Sequence, residues 1–151
     1  MRKIAQPSPL IEILAGQLKL AGGKTAEAAA IYHAALKNYP QYRPLVYASC
    51  EVFLQKNQAQ DALNLASNQL QLYPEDYHLY LLQAKSYAAL DKKLLQHKSQ
   101  AEAYYLLGNL PLAIEQLQIA QKSGDGDFYQ LSAVEARLKE FRALEVELRK
   151  Q

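Results

Sequence analysis

Two stretches of this 151-residue chain repeat one another at a fixed offset of 34. Ala28, Leu36, Tyr39 and Pro40 recur as Ala62, Leu70, Tyr73 and Pro74. A turn residue stands five positions before each leading alanine, Gly23 in one unit and Asn57 in the other. A period of this length holds two short helices with their turns, and such a pair cannot bury its apolar face alone. The chain therefore has to stack its units side by side. A third unit follows with Gly108 five positions before Ala113, then Leu117 and Ala120. Ala113 lies 51 residues beyond Ala62, one and a half periods, so one extra helix shifts the phase between them.

Apolar periodicity and turn residues predict helices over about 8–21, 24–38, 42–56, 58–72, 77–90, 92–107, 110–122 and 128–149. Pro40 and Pro74 close helices, because the residue before a proline is pushed out of helical geometry. Pro111 opens one, where its missing N–H is not needed. Gly124-Asp125-Gly126-Asp127 is a turn whose last residue can cap the final helix. That helix carries Leu131, Val134, Leu138, Phe141, Leu144 and Leu148 on one stripe. Its other face holds Glu135, Arg137, Lys139, Glu140 and Arg142, as a terminal cap requires. Ala28, Ala62 and Ala113 are small so that helices can cross closely.

Several function classes find no support. His33, His78 and His97 are scattered, with no HExxH and no His-x-x-x-His, so no catalytic centre, metal site or cofactor is expected. Cys50 is the one cysteine and lies in an apolar stretch, as a buried inert thiol does. The net charge is +2 with acids and bases interleaved, which provides no stripe for nucleic acid. No apolar run is long enough for a membrane span. Met1-Arg2-Lys3 has the charge of an export signal but no apolar core behind it. Eleven tyrosines offer rings with polar tips, suited to half-buried faces and binding grooves.

The repeated units, over roughly residues 9–123, resemble tetratricopeptide repeats, although the chain lacks Trp. This implies an all-α solenoid of helical hairpins with about eight helices and a C-terminal capping helix. The expected organisation is one domain over 1–151, with repeats at about 9–40, 43–74 and 77–123 and the cap at 128–149. His97 to Leu110, Ala113 to Leu117, the turn Gly124-Asp125-Gly126-Asp127-Phe128-Tyr129, and Ala136-Arg137-Leu138 give a narrower resemblance. They resemble the C-terminal repeat domain of periplasmic zinc metallopeptidases of the β-barrel assembly-enhancing protease type. In that family an HExxH protease domain precedes the repeats. No catalytic residue carries over to this chain, which is not expected to be an enzyme. The resemblance implies a periplasmic domain that docks substrates or assembly partners beside a protease domain. The alternatives are a stand-alone repeat scaffold or a secretion chaperone, and a cytoplasmic location.

In a tetratricopeptide unit the second, fifth, ninth and twelfth residues of the first helix point into the concave groove. Numbering from Arg43, from Tyr77 and, to accommodate the extra helix, from Leu94 places Tyr47, Glu51, Lys85, Lys98, Glu102 and Tyr105 there, with His78 at the edge. Two aromatic platforms with charges of both signs suit a protein or peptide partner. The first helix carries two apolar faces. Leu10, Ile11, Leu14 and Leu18 are expected to pack on the next helix. Ile13 and Leu20 are then left for an N-terminal protease domain or for self-association.

Overall fold

A computed structural model describes residues 8–151. The charged start, Met1 to Lys3, where no export signal is expected, lies outside the described residues. The order is α1 (Pro9–Ala21), α2 (Thr25–Asn38), α3 (Arg43–Gln55), α4 (Ala59–Leu72), α5 (Tyr77–Ala89), α6 (Lys93–Leu106), α7 (Leu110–Gln121) and α8 (Phe128–Arg149). There is no strand among the described residues. Nor is any helix there long and apolar enough to cross a membrane. The fold is the expected all-α solenoid of helical hairpins, with helix ends within a few residues of those predicted.

Consecutive helices pack against one another along the whole chain. Ala28, Ala62 and Ala113 are fully buried at the crossings. Five tight turns place one residue each in the left-handed region: Gly23, Asn57, Asp91, Gly108 and Gly124. The first three stand one full period apart, so the repeat runs on unbroken through α5 and α6. Gly108 then falls half a period later, and α6 begins a second hairpin with α7 while it is still completing the one with α5. The helix that shifts the phase is thus shared between two units.

That sharing changes which helices form the inner row. In a zigzag of antiparallel helices, the row whose members touch one another is the concave one. α1 meets α3 and α3 meets α5, whereas beyond α5 it is α6 that meets α8. The row of next-but-one contacts passes from odd to even helices at α6.

The first helix turns the opposite way from the expectation. Ile13 is 8% exposed and packs with Tyr32, Ala35, Leu45 and Val52, with Leu20 beside them. Leu10, Ile11, Leu14 and Leu18 face outward, Leu18 at 76% exposure. The cause is Gly16, which has the Tyr32 ring directly against it. A Cβ at this position would stand 2.2 Å from that ring. The Tyr32 hydroxyl also donates to the Ile13 carbonyl at 3.3 Å. Only the Ile13–Gly16–Leu20 side lets α2 come this close. Ile13 and Leu20 are covered by the chain's own helices, which removes them as a surface for self-association or a protease domain.

At the other end, Val134, Leu138 and Phe141 of α8 are buried against α6 and α7. Leu148, expected on the same stripe, is exposed at the last turn. Asp127 caps α8 in a reciprocal box with Gln130. Cys50 is fully buried, and burial pushes its thiol up to about 12.

Candidate functional site

Between α3, α5 and α6 lies a hollow of about 250 Å³. Tyr47 and Glu51 come from α3, His78, Leu81 and Lys85 from α5, and Gln100 from α6. Four of the seven residues named from sequence, Tyr47, Glu51, His78 and Lys85, are brought together here. Their meeting follows from the period. Glu51 and Lys85 occupy the same position in successive units, and stacking the units sets their charges 2.9 Å from one another. Both are well exposed, so the pair shapes the rim more than it stabilises the fold.

Tyr47 is fixed from below by Asp76, the N-cap of α5. The Asp76 carboxylate is almost fully buried. It accepts from the His78 backbone N–H at 2.9 Å, from the Tyr47 hydroxyl, and from Arg43 at 3.3 Å. Burial raises the pKa of the Tyr47 hydroxyl, and the bond to Asp76 and its charge raise it further. The hydroxyl therefore stays protonated and its ring is held in place. Arg43 in turn lies over the Tyr73 ring at 4.3 Å. His78 stacks on Tyr77 at 4.2 Å between centroids and lies 5.1 Å from Tyr47. The result is an aromatic wall with Leu81 and Leu82 beside it and an ion pair on its rim. With Asp76 matched by Arg43, and Glu51 by Lys85, the hollow carries little net charge.

Lys98, Glu102 and Tyr105 do not join this group. Both Glu102 oxygens accept from Arg137 of α8, at 2.7 and 2.8 Å. Tyr105 stacks on Phe141 at 4.9 Å, with the Arg137 guanidinium 5.1 Å from its ring. Lys98 and Glu102 line a different hollow, with Tyr80 and Tyr87. The restart at Leu94 treats α6 as a first helix facing the same way as α3 and α5. Its inner contact is with α8, on the other side of the ribbon.

Sequence reasoning missed Asp76, Leu81, Leu82 and Gln100. Asp76 carried a signal, since an aspartate directly before an apolar helical run is a strong capping residue. Leu81 stands one period after Tyr47 and was within reach of the same numbering. Gln100 carried none, because its place depends on how α6 packs. A further hollow near Lys92 is built around two caps. Asp125 accepts from the Leu94 backbone N–H, and Asp127 from that of Gln130.

No family model matches the chain, and no curated protein matches it. Among solved structures, it is similar to a thermophilic TPR protein of Thermus thermophilus, with a TM-score of 0.51 and 18% identity. The match covers 94% of this chain and 95% of that one. At that identity the likeness speaks for the fold alone: this chain has the tetratricopeptide-type helical solenoid.

Proposed function

We infer that the chain is a protein-interaction module that holds a peptide or loop of a partner in the Tyr47 hollow. The observation that carries this is the locked Tyr47–His78 wall beside Leu81, an aromatic and aliphatic floor with a polar rim. Aromatic anchors in a preformed pocket carry most of the energy at interfaces. The low net charge suits a mixed peptide better than a phosphate backbone, which needs a row of cations. The test is peptide-display selection on the purified chain, followed by titration of the selected peptides. Tyr47→Ala and His78→Ala should weaken binding by about 2 kcal/mol each. Gln118→Ala, on α7 and outside the hollow, should not. Loss with Gln118→Ala and none with the aromatic changes would sink the assignment.

The narrower role is the docking repeat domain of a periplasmic metallopeptidase that serves outer-membrane protein quality control. Its support is the resemblance of residues 97–138, above all the Gly124-to-Tyr129 turn. Reading the natural gene checks it. An upstream HExxH domain with an export signal supports the role. A gene with neither leaves a stand-alone scaffold or chaperone.

A further inference from the structure

The α5–α6 pair has two sides, and the Tyr47 hollow occupies one. A helix turns once in 3.6 residues, so Tyr80, Gln83 and Tyr87 stand opposite His78, Leu81 and Lys85 on α5. On α6, Lys98 and Glu102 stand opposite Gln100 by the same count. A second hollow, of about 130 Å³, opens on this far side.

Its lining holds one ammonium, Lys98, and one carboxylate, Glu102, with the hydroxyls of Tyr80, Tyr87 and Ser99 and the amide of Gln83. Among the described residues, three cationic side chains are only half exposed: Lys19, Lys98 and Arg137. Lys19 lies 3.9 Å from Glu27, and Arg137 holds Glu102 and Glu140. Lys98 has no carboxylate within ion-pair distance among the described residues. Glu102, one turn along the same face, is already bound through both oxygens to Arg137. The acceptor oxygen of Gln83 is taken by the Ser99 hydroxyl at 2.8 Å, and its amide donates to Ser67 at 3.0 Å. What stays open is the Lys98 ammonium and the hydroxyls of Tyr80 and Tyr87. Burial raises both hydroxyl pKa values, so each keeps a proton to donate. A half-buried ammonium with no counter-charge is incompletely solvated, and a carboxylate supplied from outside would relieve that.

We propose that this hollow binds a glutamate or aspartate side chain from an acidic segment of a partner protein, with Lys98 as the charge partner and Tyr80 and Tyr87 as donors beside it. The chain then holds partner segments on both sides of the α5–α6 pair and works as an adaptor; this rests on the reading of the Tyr47 hollow, whereas the acidic site itself does not. One unpaired cation in a small hollow matches one carboxylate. It is too few for a nucleic-acid backbone, which draws on several.

The probe is acetyl-tetraglutamate amide, titrated into the ¹⁵N-labelled full chain at low salt, with the tetraglutamine peptide as control. The expected result is saturable shifts at the Tyr80, Tyr87, Lys98 and Ser99 amides with the glutamate peptide alone. Lys98→Met keeps the aliphatic stem and should bind about tenfold more weakly, the loss of one charge-assisted hydrogen bond. The double change Tyr80→Phe and Tyr87→Phe should also weaken binding at unchanged charge. Tyr47→Ala should leave it unaltered. The proposal fails if the shifts centre on exposed Lys92, Lys93 or Lys122, if they survive Lys98→Met in a folded variant, or if none saturates. Equal competition by inorganic phosphate would mark an unspecific anion site and overturn it as well.

Discussion

Gly16 has no side chain, and Tyr32 fills the space that one would take. A pair of residues 16 positions apart thereby sets which face of α1 turns inward. Ile13 and Leu14 are neighbours in sequence with similar side chains, and this contact separates their fates. Ile13→Ala should lose about 2–4 kcal/mol, because it opens a cavity against Tyr32 and Leu45. Leu14→Ala, at an exposed position, should change stability by about 0.5 kcal/mol or less. Urea denaturation of the two variants checks the contrast, and equal losses would contradict the orientation of α1. Much of this was legible. Gly16 stands one period before Cys50, so the small, buried position of α3 recurs in α1. The amphipathic pattern alone was ambiguous, since both faces of α1 are apolar and periodicity cannot rank them.

At the scale of elements, α6 is held at its N-terminus by a turn far along the chain. The Asp125 carboxylate accepts from the Leu94 N–H at 2.9 Å and from the Lys93 N–H, and so ties the α7–α8 turn to α6. Gly126 lets that turn approach, since a Cβ there would stand 2.3 Å from a Leu94 methyl. Asp125→Ala should cost about 1 kcal/mol, as the loss of a cap usually does. The backbone bond from Leu94, aided by Lys93 and Ser123, holds the carboxyl below its ordinary value. A depressed folded pKa gives stability that is present above the unfolded value, about pH 4, and lost as pH falls through the folded one. The gap between wild type and Asp125→Ala should therefore be full at neutral pH and close on acidification below about pH 4. Thermal melts of both proteins across that range measure it, and a gap independent of pH would refute it.

For the whole molecule, the passage of the inner row from odd to even helices decides what α6 shows and to which side. Arg137 was read from sequence as part of the solvent face of the cap, yet it reaches back to Glu102 with two parallel bonds. This staple joins α6 to α8 where the even row begins, and it is only partly exposed. Glu102→Gln should lower stability by about 1.5–3 kcal/mol, the range for hydrogen bonds to charged groups. Glu51→Gln, in the exposed rim pair, should cost about 1 kcal/mol or less. Chemical denaturation of the two variants compares them, and an equal effect would show that the Glu102–Arg137 staple does not hold α6 to α8.

The number and order of the helices, the close crossings at Ala28, Ala62 and Ala113, the Asp127 cap and the burial of Cys50 could be read along the chain. These depend on periodicity, turn chemistry and side-chain size within one or two repeats, which are local quantities. Tyr47, Glu51, His78 and Lys85 could be assigned to one hollow for the same reason, because equal positions one period apart come side by side when units stack. The inward face of α1 and the side on which α6 presents Lys98 and Glu102 were decided only in the tertiary structure. There the alternatives were locally equivalent. Contacts from Tyr32 in one case and Arg137 in the other, 16 and 35 residues away, chose between them.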